Sequence, residues 1–129
     1  MKAVRRRPQL TALWPPDVRA RIAAATLAIS VVTVAEERSG EISGRWGSKA
    51  VEEAANARKG YVWVPLDLQI IERWAAIDAA CRTGGIRGAD DNDLWIAATA
   101  IERDLTLISC DKRQCDIPGL LAIYLEPGS

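Results

Sequence analysis

The sequence contains no histidine, and this absence narrows the chemistry open to the chain. Serine or cysteine nucleophiles that rely on a histidine base are excluded, and so are the usual zinc sites built on imidazole ligands. Any acid, base or ligand role must therefore fall to carboxylates, to lysine or to metal-bound water.

Long hydrophobic runs are missing as well. No stretch approaches the roughly 20 apolar residues that a membrane-spanning helix needs, so we expect no contact with a membrane. Basic residues near the N-terminus are followed by Pro15-Pro16 rather than by a continuous apolar segment, which does not fit a secretory signal. The cysteines are odd in number, and without an export signal we expect reduced thiols in a bacterial-type cytoplasm. They are Cys81, Cys110 and Cys115.

Length and composition fit one globular domain. The chain has 129 residues, of which 49% are hydrophobic and 26% charged, so we expect a single domain spanning residues 1–129. The net charge is zero, but residues 1–30 hold six basic residues and one acidic residue. We therefore expect a basic, atypical N-terminal segment over residues 1–14, followed by an acidic body.

Helical and strand patterns alternate along the chain. The predicted helices begin near Pro16, at Thr33, at Ser48, after Asp67 and near Asp90, and the predicted strands are Thr26–Val32, Tyr61–Pro65, Leu105–Ser109 and Leu120–Leu125. In the helix after Asp67, a core-facing stripe is predicted for Ile70, Ile71, Trp74, Ile77 and Cys81. This alternation predicts an α/β fold with a parallel sheet, in which ligands bind at the carboxyl ends of the strands.

Acidic residues open the helix that begins near Asp90. Asp90 and Asp93 are three positions apart and share one helix face. The helix dipole favours anions in this first turn even without a metal, so a purely structural role is an equal alternative for Asp90. Asp93 is followed by small apolar residues that imply close packing, and a carboxylate beside such packing needs a partner to offset its desolvation.

Two further acids are predicted to reach the same edge of the sheet. Asp111 directly follows a strand, where a turn-forming aspartate is also common. Glu36 follows the strand that ends near Val32, and Thr33 with Glu36 also fits a helix-capping box. The adjacent Glu37 is assigned to the surface. Carboxylates gathered at one sheet edge favour a divalent cation and magnesium-dependent phosphate chemistry.

These motifs resemble those of the PIN-domain ribonucleases, specifically the VapC-type toxins of bacterial toxin–antitoxin pairs. The resemblance extends over about Pro15 to Leu125, and it is carried by Ser30-Val31-Val32-Thr33-Val34-Ala35-Glu36 with Gly40, by Asp93 to Ala100, and by the strand that leads into Asp111. It implies a PIN-like three-layer α/β fold with a central, mainly parallel sheet flanked by helices. It also implies a four-acid site that holds Mg²⁺ or Mn²⁺ and cleaves RNA.

The same resemblance assigns roles and partners. Glu36, Asp93 and Asp111 match three of the four acids as catalytic and metal-binding residues, with Asp90 or Asp91 as an auxiliary group. The implied partners are an RNA substrate, a cognate antitoxin and a second copy of the chain in a homodimer. The tryptophans are expected mostly in the core, with one or two left for a homodimer or antitoxin surface. They are Trp14, Trp46, Trp63, Trp74 and Trp95.

One departure from the family pattern concerns the N-terminus. PIN domains usually begin with an apolar strand that ends in the first catalytic aspartate, but residues 1–16 contain no acid and Lys2–Pro8 is a poor candidate for a buried strand. We therefore expect the strand and its aspartate to be absent. Three explanations stay open: a start assigned too late, a degenerate copy, or a rebuilt N-terminus.

Two functions follow from these expectations. The first is a Mg²⁺-dependent endoribonuclease toxin, and the alternative is a catalytically impaired PIN-like module that binds antitoxin or RNA without cutting it. A small phosphatase or receiver-like domain ranks third, because the phosphorylatable aspartate that it needs after its first strand is not visible.

Overall fold

A computed structural model of the chain describes residues 2–4, 16–23, 25–84, 90–109 and 111–125. The described residues form the strands β1 (Lys2–Val4), β2 (Leu27–Ser30), β3 (Val62–Val64), β4 (Thr106–Ser109) and β5 (Ala122–Tyr124). They also form the helices α1 (Pro16–Ala23), α2 (Val31–Ile42), α3 (Ser48–Lys59), α4 (Leu68–Gly84), α5 (Asp91–Glu102) and α6 (Lys112–Cys115). Trp14 and Cys110, which were named above among the tryptophans and cysteines, lie outside the described residues.

The five strands form one parallel sheet in the order β3-β2-β1-β4-β5. This arrangement confirms the predicted α/β fold with a parallel sheet and flanking helices. The chain places β2 and β3 on one side of β1, then crosses to place β4 and β5 on the other. Such a reversal leaves a crevice at the carboxyl ends of the two strands where it occurs, here β1 and β4, and ligands of open α/β sheets bind there.

The prediction that the first strand is absent was wrong. Lys2–Val4 forms the central strand, with Ala3 in register with Ala28 of β2 and Leu107 of β4. The charged residues around this segment made it a poor strand candidate, but backbone hydrogen bonds from two neighbouring strands decide strand formation more than local composition does. The absence of an acid after this strand is a fact of the sequence and is unchanged, since Val4 is followed by Arg5-Arg6-Arg7.

Helix α2 begins two residues before the predicted start. Ser30 is its N-cap, and the Ser30 hydroxyl accepts a hydrogen bond from the Val32 amide at 3.1 Å. The predicted capping box of Thr33 and Glu36 was therefore wrong, because Thr33 already lies in the helix and its side chain is buried. Glu36 consequently projects from the second turn of α2.

Other predicted helix signals are confirmed. The Asp67 carboxylate accepts a hydrogen bond from the Ile70 amide at 3.0 Å at the start of α4, and Gly60 caps the end of α3. The predicted stripe on α4 is correct for Ile70 and Ile77, which are buried, whereas Ile71 is 44% exposed. Among the described residues, no helix combines the length and the apolar character that crossing a bilayer requires.

The core is centred on α5, which packs between α4 and the sheet. Its buried side chains are Asp93, Leu94, Ile96, Ala97, Ala98, Thr99 and Ala100. The small residues among them let α5 approach its neighbours closely. Across the interface with α4, the rings of Trp74 and Trp95 are stacked with centroids 4.7 Å apart and planes inclined by 9°.

The Trp74 ring provides a test of this packing. Its indole nitrogen is buried, and none of the described residues accepts a hydrogen bond from it. Trp74→Phe keeps a ring that can stack and removes this buried N–H, whose desolvation costs roughly 1–3 kcal/mol. We expect the free energy of unfolding to change by less than about 1 kcal/mol in Trp74→Phe and to fall by about 3 kcal/mol in Trp74→Ala. Urea denaturation measures both, and equal losses in the two variants would contradict this account.

Candidate functional site

The topology brings Glu36, Asp93 and Asp111 to one edge of the sheet. β2 ends at Ser30 and leads directly into α2, while β4 ends at Ser109 just before Asp111. Helix α5 leads into β4, so its first turn lies at the edge where the strands end. The prediction that these three elements converge on the carboxyl edge thus agrees with the strand order.

Glu36 lies close to the first turn of α5. The Asn92 side-chain amide is 3.5 Å from a Glu36 carboxylate oxygen, a long contact that joins α2 to α5. Glu36 is partly buried, whereas Asn92 is exposed. The Glu36 carboxylate therefore lies within reach of the first turn of α5.

Asp93 is the most deeply buried of the four predicted acids, at 2% exposure. Its backbone amide donates a hydrogen bond to the Asp90 carboxylate at 2.8 Å, which makes Asp90 the N-cap of α5. The structural alternative considered for Asp90 is thus realised, and its role as an auxiliary metal ligand stays a prediction. Asp91 is exposed in the same first turn.

Asp111 is held in a tight turn after β4. Its carboxylate accepts a hydrogen bond from the Arg113 amide at 3.0 Å, and the Arg113 Nε lies 3.8 Å from the same oxygen. The Asp111 amide donates to the Ser109 hydroxyl at 3.0 Å. That hydroxyl in turn donates to the Gln114 side-chain carbonyl at 2.8 Å. The turn-forming alternative for Asp111 is therefore realised, and its role as a metal ligand stays a prediction.

Gln114 lies next to the Asp111 turn, and no sequence pattern indicated this position. It is fully buried on α6, a helix too short to show a periodic pattern. A glutamine close behind a strand and among charged residues resembles a surface residue in sequence. Its buried side chain accepts the hydrogen bond from Ser109 and so links α6 to the end of β4.

The acids suit a divalent cation in kind but do not assemble into a complete site. Carboxylate oxygens are the ligands that Mg²⁺ and Mn²⁺ prefer. Within the described part of the chain, however, no group of three or more acidic, cysteine or histidine side chains lies close enough to hold a metal. Two of the predicted ligands, Asp90 and Asp111, each use one carboxylate oxygen to cap a helix. The structure therefore does not fit the predicted metal site as a finished cage.

A cleft of about 900 Å³ opens beside Glu36 and Asn92. One wall is a face of α2, and the opposite side is formed by the start of α5 and by the loop that follows α2. Arg45 and Trp46 of that loop, and Trp95 of α5, line it. The cleft thus connects the acidic edge with an aromatic and basic loop.

Gly40 shapes the wall of this cleft. A Cβ atom at this position would lie 3.1 Å from the Trp46 indole nitrogen, closer than the ring would allow without shifting. Glycine inside a helix costs about 1 kcal/mol relative to alanine. The space that it leaves lets the Trp46 ring lie directly against α2.

The neighbouring face of α2 carries a buried ionic cluster. The Arg58 Nη1 of α3 lies 2.9 Å from the Glu37 carboxylate and 3.0 Å from the Glu41 carboxylate, and Arg38 also pairs with Glu41. The surface assignment of Glu37 was wrong, since the residue is only 7% exposed. Its partner Arg58 is distant in sequence, so no local pattern indicated the burial.

The two glutamates of this cluster have opposite pKa shifts. Burial raises the pKa of Glu37, and the nearby Arg58 offsets this only in part. Burial also opposes ionisation of Glu41, but hydrogen bonds from Arg58 and Arg38 outweigh it and lower the pKa of that group. Ionised Glu37 therefore opposes folding, whereas ionised Glu41 supports it.

This contrast predicts different effects of two matched substitutions. Stability from Glu41 is present above its unfolded pKa and is lost as the pH falls through its folded pKa, while Glu37 destabilises the fold as the pH rises through its raised pKa. At neutral pH we expect Glu41→Gln to lower the free energy of unfolding by about 1–2 kcal/mol, and Glu37→Gln to leave it unchanged or raise it. Urea denaturation from acidic to neutral pH tests this prediction. A larger loss of stability in Glu37→Gln than in Glu41→Gln at neutral pH would refute it.

The Gln114 contact gives a second prediction for this region. Gln114→Leu removes the acceptor of the Ser109 hydroxyl and leaves a buried polar group unsatisfied. We expect the free energy of unfolding to fall by about 1–3 kcal/mol. Lys112→Ala, an exposed change in the same short helix, is the control and should have little effect. Thermal or urea unfolding that gives similar values for both variants would contradict the assigned contact.

Comparison with known proteins gives a consistent picture. Residues 16–120 match the family model of the PIN domain. The chain is 28% identical over 114 residues to Ribonuclease VapC4 of Mycobacterium tuberculosis (strain ATCC 25618 / H37Rv), covering 87% of this chain and 85% of that protein. The family match begins at the first residue of α1, so β1 precedes it.

Solved structures share the fold at low sequence identity. VapBC2 from Rickettsia felis, bound to a DNA fragment from its promoter, gives a TM-score of 0.78 at 17% identity, covering 98% of this chain and 100% of that chain. VapBC-5 of Mycobacterium tuberculosis, a member of the VapBC family of toxin–antitoxin systems, gives 0.71 at 24% identity, covering 96% and 98%. VapBC-1 from nontypeable Haemophilus influenzae gives 0.73 at 19% identity, with coverage of 96% and 98%.

Proposed function

The chain belongs to the PIN domain family, and from this premise we propose that it is the cytoplasmic ribonuclease toxin of a toxin–antitoxin pair. The similarity to a protein named as a ribonuclease, and the shared fold with toxin–antitoxin complexes, support the proposal. The observation that carries it is the position of Asp93, a carboxylate that is 2% exposed at the carboxyl edge of the sheet. This edge is where ligands of open parallel α/β sheets bind, so the Asp93 carboxyl group is placed where a ligand-binding role is possible for the fold.

The proposed reaction is hydrolysis of an RNA phosphodiester bond with Mg²⁺ or Mn²⁺. Glu36, Asp93 and Asp111 are the proposed metal ligands and catalytic residues, with Asp90 as the auxiliary acid. A bound divalent cation supplies charge stabilisation on the phosphate and a more acidic water. Because the described acids do not form a group of three, no course of reaction is assigned to them.

The surrounding residues have positioning roles in this proposal. Asn92 contacts the Glu36 carboxylate at 3.5 Å and orients it. Ser109 and Gln114 fix the backbone at Asp111 through hydrogen bonds of 3.0 and 2.8 Å. The proposed partners are an RNA substrate, a cognate antitoxin and a second copy of the chain.

A second function is favoured by a specific observation. The described carboxylates include no complete metal-binding group, and the residue after β1 in the sequence is arginine rather than an acid. A PIN domain with this composition at its edge suits a module that binds antitoxin or RNA without cleaving it. The two functions share the fold and the cleft, and they differ in whether a metal is bound.

RNA cleavage separates the two functions. Purified protein incubated with RNA and Mg²⁺ should cleave it, and cleavage should stop in EDTA. Asp93→Asn should slow cleavage by about 10²–10⁴-fold, the range typical for loss of a group that handles protons or positions water. Asp111→Asn should slow it as well, whereas Asp116→Asn, an exposed change at the end of the same short helix, is the control.

Chelation and metal titration distinguish the metal-dependent nuclease from the non-cleaving module. Cleavage that persists in EDTA, or that survives Asp93→Asn, would refute the metal-dependent mechanism. Calorimetry without any binding of Mg²⁺ at millimolar concentration, together with no cleavage, would establish the non-cleaving module instead.

A further inference from the structure

We propose that Trp46 and Arg45 form a nucleobase subsite in the cleft beside Glu36, in which the Trp46 ring stacks on one base of a single-stranded RNA. This inference rests on the proposed function, because it names a part of the RNA and the residues that bind it. The subsite is built from α2 and the loop that follows it, which are separate from β1 and α6.

The position of Trp46 is specified by the backbone of α2. Gly40 leaves the space in which the indole lies, since a Cβ there would be 3.1 Å from its nitrogen and 3.3 Å from Cε2. A ring seated in this way against a helix is held in one orientation. Its fixed plane suits stacking, because a preorganised aromatic loses little conformational freedom when a base packs on it.

The subsite lies in the same cleft as Glu36, one of the predicted acids. Glu36 and Gly40 are four residues apart on α2, so they share one helix face and are separated by about 6 Å along the axis. Both residues line the same cleft as Trp46. A base stacked on Trp46 would thus lie in the same cleft as the Glu36 carboxylate.

The chemistry of the cleft favours a nucleotide over a peptide. Bases of single-stranded RNA stack on tryptophan rings and on guanidinium planes, and Arg also attracts phosphate. Arg45 is exposed, and its Nε donates a hydrogen bond to the Ser43 hydroxyl at 3.0 Å, which orients the guanidinium at the cleft. Arg45 and Trp46 lie next to each other in this cleft, so a cation for phosphate and a ring for stacking are paired, and a nucleotide presents an aromatic plane beside its phosphate in the same way.

The test measures RNA binding without cleavage. Fluorescence anisotropy in EDTA at low salt compares a short labelled single-stranded RNA with the same oligonucleotide carrying abasic positions. We expect Trp46→Ala to weaken binding of the normal RNA by about tenfold, the effect of losing one stacked base, and to leave binding of the abasic RNA unchanged. Trp46→Phe should restore part of the loss. Tyr124→Ala, which removes a 40% exposed aromatic from β5 outside the cleft, should have no effect.

Several outcomes would overturn the subsite. Trp46→Ala could weaken binding of the normal and the abasic RNA equally, while Trp46→Phe binds both RNAs as the wild-type protein does. That result would show that the residue has only a structural role. Unchanged RNA binding with a weakened antitoxin complex would assign the surface to the partner protein. Wild-type protein that binds no RNA in EDTA would also refute the subsite, whereas the cleavage assay in Mg²⁺ decides the proposed function separately.

Discussion

The enclosure of α5 is the constraint on which the fold and the candidate site both depend. From Asp93 to Ala100 every side chain except the partly buried Trp95 is inaccessible to solvent, so the helix cannot shift or rotate without opening the core. The Asp93 carboxylate is attached to the first turn of this helix and shares its rigidity. A site that uses Asp93 therefore has one fixed acid, to which the more exposed acids must adapt.

Helix α2 carries two adjacent stripes of side chains with different contacts. Glu37 and Glu41 pair with Arg58 of α3, whereas Glu36 and Gly40 line the cleft, which Glu37 also borders. Residues four apart on a helix lie one above the other, so neighbouring pairs face different directions. The ion pair between Glu41 and Arg58 thus ties α2 to α3 and supports the helix that carries Glu36.

The sequence predicted elements with local signals and missed those that depend on distant partners. The order of helices and strands and the Asp67 cap follow from periodicity, capping chemistry and parallel topology, whereas the gathering of the acids around one metal stays a prediction. β1 is a strand because β2 and β4 flank it. Glu37 is buried in a contact with Arg58, which lies 21 positions further along the chain. Helix α6 is too short to show a periodic pattern. The helix cap is Ser30 rather than the predicted Thr33, because β2 ends at Ser30 and α2 begins directly after it.

The position of β1 bears on the two parts of the proposed function, RNA binding and cleavage. Its carboxyl end lies between those of β2 and β4, and the residue that follows it in the sequence is arginine rather than an acid. In the proposed nuclease, that lack of an acid concerns the metal site and cleavage. Among the described residues, the cleft is lined by α2, the loop at Trp46 and the start of α5. In the proposed function the base is bound on these elements, so the missing acid after β1 would weaken metal binding and cleavage more than the stacking of a base on Trp46.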